Sequence, residues 1–139
     1  MGIEINKELC ELQNHVIEKF GLSNRVSVMH DDVTRRSDIF QCADVVILNN
    51  VFEWFSDRSQ QISMWQFLSS NIEVGALIVT IPSLEKSIDG LAIGLSLEQW
   101  VKPYPSNRSA YKSDSDSVQE VDINLYQVIH KFSFQITST

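Results

Sequence analysis

The segment ADVVILNN, residues 43–50, decides the fold class of this chain. Residues 43–48 are almost continuously aliphatic, which is typical of a strand buried on both faces of a parallel sheet. Two amides, Asn49 and Asn50, follow at once. Because ligands bind at the carboxyl ends of the strands in open α/β sheets, the segment also predicts where a functional site would lie.

Helical and strand-like segments alternate on both sides of this strand. Apolar periodicity predicts strands over residues 2–5, 25–30 and 76–81, helices over 6–20 and 57–72, and a turn of helix or a loop over 38–42. This alternation predicts an α/β fold. We expect a three-layer sandwich with a mainly parallel sheet and helices on both faces.

Each predicted helix carries one apolar stripe that we expect to be buried. A capping residue precedes each stripe, Asn6 in the first helix and Ser56 or Asp57 in the second. The stripes consist of Leu9, Leu12, Val16, Ile17 and Phe20 in the first helix, and of Ile62, Trp65, Leu68 and Ile72 in the second.

The second half of the chain is less regular. Residues 103–117 are polar and predict a mobile loop, whereas alternation within residues 118–136 predicts an antiparallel strand or hairpin at the sheet edge. No internal repeat is apparent. We therefore expect a single domain over residues 1–139, whose recognisable core is 1–83.

Composition narrows the class of protein. The 139 residues are 43% hydrophobic, enough for one domain with a real core. The net charge of −7 argues against a nucleic-acid module with a basic face. Two cysteines without a CxxC motif predict reduced thiols in an intracellular protein, cytoplasmic or nuclear. No apolar stretch reaches the roughly 18–20 residues of a membrane span, and scattered histidines predict no metal site.

Two acidic residues at strand ends are the first candidates for a site. Glu4 ends the first strand, where a carboxylate can accept two hydrogen bonds from a ribose diol. Asp32 follows the second strand and could accept a hydrogen bond from an exocyclic amine such as that of adenine. The alternatives are an acid at a helix start and a solvated turn acid. Other polar side chains at predicted strand ends are Asp31, Asn49, Asn50, Glu53, Ser83 and Glu85.

Four segments resemble, in order, parts of a class I methyltransferase that uses S-adenosylmethionine. GIEIN, residues 2–6, resembles the second strand of that family, and VSVMHDDV, residues 26–33, resembles the third. Residues 43–57 resemble the fourth strand and its following loop. Residues 75–83, GALIVTIPS, resemble the fifth strand.

The resemblance implies S-adenosylmethionine as the cofactor. It implies that Glu4 binds the ribose and that Asp32 contacts the adenine, with Asp31 in the place of the usual glycine. The methyl acceptor would be a small molecule or a protein side chain, since the acidic charge disfavours a nucleic acid. The residues expected to bind the cofactor are Glu4, Ile5, Asp31, Asp32, Val33 and Asn49. Those expected to orient the acceptor are Asn49, Asn50 and Glu53, and Trp54 stands where some relatives carry a histidine.

Nothing in the chain resembles the first strand and glycine-rich loop that precede these segments in the family. The strand order of the family is 3-2-1-4-5-7-6, so the expected fold is an incomplete Rossmann-like methyltransferase sheet without its central strand. Three arrangements would avoid unpaired strand edges: the chain is a fragment of a longer product, strands two and four pair directly, or another chain fills the gap. The alternative function is a non-catalytic, methyltransferase-like interaction module or truncated isoform that self-associates as a homo-oligomer through the open sheet edge.

Overall fold

The computed structural model describes residues 1–50, 52, 56–106 and 122–134, in two compact units that divide between Ile39 and Phe40. None of the helices in these residues is long and apolar enough to cross a membrane. The strands are β1 (Gly2–Glu4), β2 (Val28–His30), β3 (Val45–Asn49), β4 (Leu77–Ile81), β5 (Val101–Pro103) and β6 (Asn124–Val128). The helices are α1 (Lys7–Lys19), α2 (Ser37–Cys42), α3 (Arg58–Asn71), α4 (Leu84–Ser87) and α5 (Leu97–Trp100), with a 3₁₀ turn at Val33–Arg35.

The first unit is built on a pair of parallel strands. β1 and β2 pair in register from Gly2 opposite Val28 to Glu4 opposite His30. The crossover between them contains α1, which begins where the side chain of Asn6 accepts a 3.0 Å hydrogen bond from the Leu9 N–H. This is the predicted N-cap, and it starts the helix two residues after the first strand ends.

Four of the five residues in the apolar stripe of α1 are exposed, contrary to expectation. Only Cys10 and Ile17 are buried in this helix. The pattern identified the apolar face correctly, but burial also requires an element that covers it, and periodicity does not supply one. The exposed members of the stripe are Leu9 (48%), Leu12 (58%), Val16 (42%) and Phe20 (68%).

The second unit contains a mixed sheet in the order β3-β4-β6-β5. β3 and β4 are parallel, whereas β6 is antiparallel to both β4 and β5. The expectation of a mainly parallel sheet is therefore not confirmed: this sheet has one parallel and two antiparallel pairs. β6 was expected at the sheet edge, yet it lies between β4 and β5, and β5 forms the edge.

The core of the second unit contains buried side chains of this sheet and of α3. Trp65, Leu68 and Ile72 are at most 2% exposed, as their stripe predicts, although Ile62 is only partly buried. The indole of Trp65 packs edge to face against Phe52 and Trp100, with ring centroids 5.4 and 6.4 Å apart. These aromatic contacts join α3 to the loop after β3 and to α5.

We expected both faces of β3 to be buried, and this expectation is wrong. Val46 and Leu48 are buried, whereas Val45 is 50% exposed and Ile47 is 71% exposed. Among the described residues, β3 pairs with β4 alone, so its other edge is open. An aliphatic run indicates a strand, but it does not determine whether both faces are covered.

Within each unit, the strand order agrees with part of the strand order of the resembled family. With β1 to β6 taken as family strands two to seven, β2-β1 corresponds to 3-2 and β3-β4-β6-β5 to 4-5-7-6.

Candidate functional site

The carboxyl ends of β1 and β2 bring several of the predicted cofactor residues together. Glu4 is the register partner of His30, and its carbonyl accepts a 3.1 Å hydrogen bond from the Asp31 N–H. Asp32 follows directly. The two candidate acids, Glu4 and Asp32, thus lie at the ends of adjacent parallel strands, where α/β folds bind ligands.

Glu4 uses one carboxylate oxygen to close the turn into α1. Its Oε1 accepts a 2.8 Å hydrogen bond from the Asn6 N–H. No hydrogen bond reaches its other oxygen from the part of the chain that the structure describes. The carboxylate is therefore held in place and keeps acceptor capacity. The next residue, Ile5, is 70% exposed and could cover one face of a flat ligand.

Asp32 is the N-cap of the 3₁₀ turn that starts at Val33. Its Oδ1 accepts hydrogen bonds from the backbone N–H of Thr34 at 2.9 Å and from the Thr34 hydroxyl at 2.8 Å. These two hydrogen bonds lower the pKa of Asp32 below its usual value. The side chain is therefore ionised at neutral pH. Its Oδ2 has no hydrogen-bond partner among the described residues, so it can accept one from a ligand.

Both carboxylate oxygens of Asp31 have partners, whereas only one oxygen of Asp32 has one within the described ranges. Its Oδ1 accepts a 2.8 Å hydrogen bond from the Asp32 N–H, and its Oδ2 lies 3.7 Å from Nη1 of Arg36. The same guanidinium donates to Asp38 at 2.6 and 2.9 Å. A carboxylate with a cation beside it is a weaker candidate for binding an adenine amine.

The predicted acceptor residues belong to the second unit. Asn49 ends β3 opposite Ile81, and Asn50 adopts a left-handed conformation with φ 47°. The Asn50 N–H donates a 2.8 Å hydrogen bond to the Ile81 carbonyl, which fixes the turn where β3 ends. Asparagine is one of the few residues that tolerate this conformation. The predictions for Glu53 and Trp54 fall outside the described residues.

A polar groove of about 430 Å³ lies at the carboxyl end of β4, beside the start of β6. Tyr126, on β6, is buried and donates a 2.9 Å hydrogen bond to Oε2 of Glu85. Its oxygen also accepts a 3.3 Å hydrogen bond from the Leu84 N–H. The volume is in the range of small-molecule sites. The polar residues that line it are Ser83, Glu85, Lys86, Ser106, Asp122 and Asn124, with the two tyrosines Tyr104 and Tyr126.

The titration of Tyr126 and Glu85 follows from this contact. Burial and the hydrogen bond to the Glu85 carboxylate raise the pKa of Tyr126 to about 12. Burial alone would raise the pKa of Glu85, but hydrogen bonds from its own N–H, Tyr126 and Ser83 outweigh it and lower that pKa. At neutral pH the groove therefore contains a neutral phenol and an ionised Glu85.

The other charges of the groove largely cancel. Nζ of Lys86 lies 2.7 Å from Oδ2 of Asp122, and Asn124 donates a 3.0 Å hydrogen bond to Oδ1 of the same carboxylate. The Lys86 hydrogen bond is the main cause of the lowered pKa of Asp122. Glu85, by contrast, has no cation within ion-pair distance in the described ranges, so it leaves the groove with a negative charge.

Sequence reasoning named Ser83 and Glu85 here but missed Tyr126, Asp122 and Asn124. Tyr126 and Asn124 lie on β6 and Asp122 lies just before it, and the partner of this strand, β4, lies more than forty positions earlier. No local pattern encodes that antiparallel pairing. No cluster of three or more metal-ligating side chains occurs among residues 1–50, 52, 56–106 and 122–134.

Comparisons with known proteins support the fold. No family model matches the chain, and no curated protein matches it at a significant level. Solved structures do match. One is a protein from Clostridium thermocellum that is provisionally described as an rRNA methylase. The two sequences are 10% identical and the TM-score is 0.56. The structural match covers 94% of this chain and 73% of that chain. The fold of this chain is similar to that of the Clostridium protein. At this identity, the likeness concerns the fold alone.

Proposed function

We propose that this protein binds S-adenosylmethionine and transfers its methyl group to a small molecule or a protein side chain. The observation that carries the proposal is the pair of carboxylates, Glu4 and Asp32, at the ends of adjacent parallel strands. Each is fixed by hydrogen bonds through one oxygen and has acceptor capacity at the other. Two such acceptors fit a ribose diol that donates to Glu4 and an adenine amine that donates to Asp32.

The cofactor, when bound, supplies an activated methyl group on a sulfonium. The protein must therefore mainly bind and align the acceptor. Asn49 and Asn50 would orient it through their amides at the end of β3. Tyr126 stays protonated well above neutral pH, so it acts as a hydrogen-bond donor to Glu85 rather than as a base.

The groove after β4 supports an acceptor that carries an amine. Glu85 is ionised and has no cationic partner among the described side chains, so it can bind an ammonium group. The net charge of −7 disfavours a nucleic acid as the acceptor. RNA is named for the Clostridium protein alone.

Calorimetric titration tests the cofactor. We expect S-adenosylmethionine and its demethylated product to bind with Kd values of about micromolar order. Glu4→Ala and Asp32→Ala should each weaken binding roughly tenfold, because each removes a charge-assisted hydrogen bond. Glu18→Ala, an exposed acid on α1, is the matched control and should bind as the wild type does. Absence of both heat and thermal shift at millimolar ligand would refute the proposal.

Self-association as an interaction module is a second candidate. The observation that favours it is β3, whose described residues leave one edge unpaired and whose outer face exposes Val45 and Ile47. Open strand edges with apolar side chains are sites where other strands add. We propose a second copy of this chain as the partner.

A further inference from the structure

A small cavity lies at the carboxyl ends of β3 and β4. Its volume is about 10 Å³. Apolar walls come from Leu48, Phe52 and Ile81, and the other four lining residues carry groups that can form hydrogen bonds: Asn50, Trp65, Thr80 and Ser87. The cavity belongs wholly to the second unit and is distinct from the groove that contains Glu85.

Two of these residues bury polar atoms that lack partners. Thr80 and Trp65 are each 2% exposed, and neither Thr80 Oγ1 nor Trp65 Nε1 has a hydrogen-bond partner among the described residues. Native proteins rarely leave buried polar side-chain atoms unpaired. Both residues line the same cavity, so a single small ligand can satisfy both.

We infer that this cavity binds one water molecule. Its volume is close to one probe sphere, which is about the least that a water needs. Polar cavities with two to four hydrogen-bonding partners hold water, whereas apolar ones stay dry. The water oxygen accepts from Trp65 Nε1 and one water proton is donated to Thr80 Oγ1, with the side chains of Asn50 and Ser87 as further partners.

The water has a structural consequence for the turn after β3. It connects Thr80 of β4 with Trp65 of α3 beside Asn50, the residue held in the left-handed conformation. In enthalpy, a bridging water of this kind is nearly as favourable as a direct hydrogen bond. It therefore helps to fix the turn that presents the two asparagines, whether or not the protein transfers methyl groups.

Thermal unfolding of Thr80 variants tests this inference. Thr80→Val preserves the shape of the side chain but removes the hydroxyl. If water is bound, the Tm falls, because the water loses a partner. In a dry cavity the Tm rises, because an unpaired buried hydroxyl is removed. Thr80→Ser retains the hydroxyl and reports the cost of the lost methyl group alone.

Nuclear magnetic resonance provides an independent readout on the wild-type protein. We expect a cross-peak between water and the indole N–H of Trp65, with the sign that indicates a long-lived bound water, identified by its loss in Trp65→Phe. Thr80→Ser should retain the cross-peak and Thr80→Val should weaken it. A Trp65 indole without this cross-peak, its N–H directed at an aromatic face, would overturn the inference even if a variant fails to fold.

Discussion

Tyr126 donates a 2.9 Å hydrogen bond to Oε2 of Glu85, and this contact joins β6 to the segment that follows β4. The phenol oxygen also accepts from the Leu84 N–H. One buried hydroxyl thus satisfies a backbone donor and fixes a carboxylate at the edge of the groove. The contact is both structural and, under the proposed function, part of acceptor binding.

Tyr126→Phe should destabilise the protein. The substitution keeps the ring but leaves the buried Leu84 N–H without its partner, which costs about 1–3 kcal/mol. Urea denaturation measures the loss. Tyr104→Phe is the matched control, since Tyr104 is 41% exposed, and it should change stability by less than about 0.5 kcal/mol. Equal effects of the two variants would contradict the role of the Tyr126 hydroxyl.

Tyr126 should also make stability depend on alkaline pH. Its pKa of about 12 in the folded protein exceeds the ordinary tyrosine value of 10.0, so the unfolded chain releases this proton first as the pH rises. The contribution to stability is complete below pH 10 and is lost between pH 10 and 12. We expect the stability difference between wild type and Tyr126→Phe to be constant below that window and to shrink across it. A tyrosinate absorbance titration without a component near 12 would contradict this.

Substitution by alanine should lower the free energy of unfolding much more at Leu68 than at Leu12. Leu68 is 1% exposed in α3, whereas Leu12 is 58% exposed in α1, although both belong to helical apolar stripes. Leu68→Ala should cost about 2–5 kcal/mol, and Leu12→Ala should stay within about 0.5 kcal/mol. Chemical denaturation measures both. A large cost at Leu12 would mean that a partner covers the α1 stripe in solution.

Ile47→Lys should weaken self-association if β3 is the interface. Ile47 is 71% exposed on β3, and burying a lysine there without a counter-ion would raise the dissociation constant about tenfold or more. Val74→Lys is the control, because Val74 is 57% exposed but lies outside β3. Light scattering should give twice the chain mass for wild type and the control. A wild-type mass near 15.9 kDa would exclude the dimer.

Local signals predicted the elements well. Asp57, one of the two expected caps, begins α3 with a reciprocal capping box: it accepts from the Gln60 N–H at 2.9 Å while its own N–H donates to the Gln60 side chain at 3.0 Å. The stripe of Trp65, Leu68 and Ile72 lies in the core. Such features depend on neighbours within one or two turns, so a single sequence contains them.

The covering of each apolar face and the pairing of distant strands could not be predicted, because both depend on residues far away in the sequence. The exposure of Leu12 and Ile47 depends on which element covers each face, and the place of β6 depends on pairing with distant residues. The same holds for the candidate sites. Glu4 and Asp32 could be named because each follows a strand directly, whereas Tyr126 contacts Glu85 through an antiparallel ladder that local pattern does not reveal.

The insertion of β6 between β4 and β5 has a consequence for biosynthesis. β5 is synthesised before β6, although β6 is its hydrogen-bonding partner in the sheet. β5 therefore cannot pair within the sheet until Val128 has left the ribosome. Until then β4 presents an unsatisfied edge on the side that β6 will occupy. Contacts so distant in sequence form slowly, and the nascent chain is open to aggregation during that interval. Chaperone capture of this protein should therefore be strongest for nascent chains that end before Asn124.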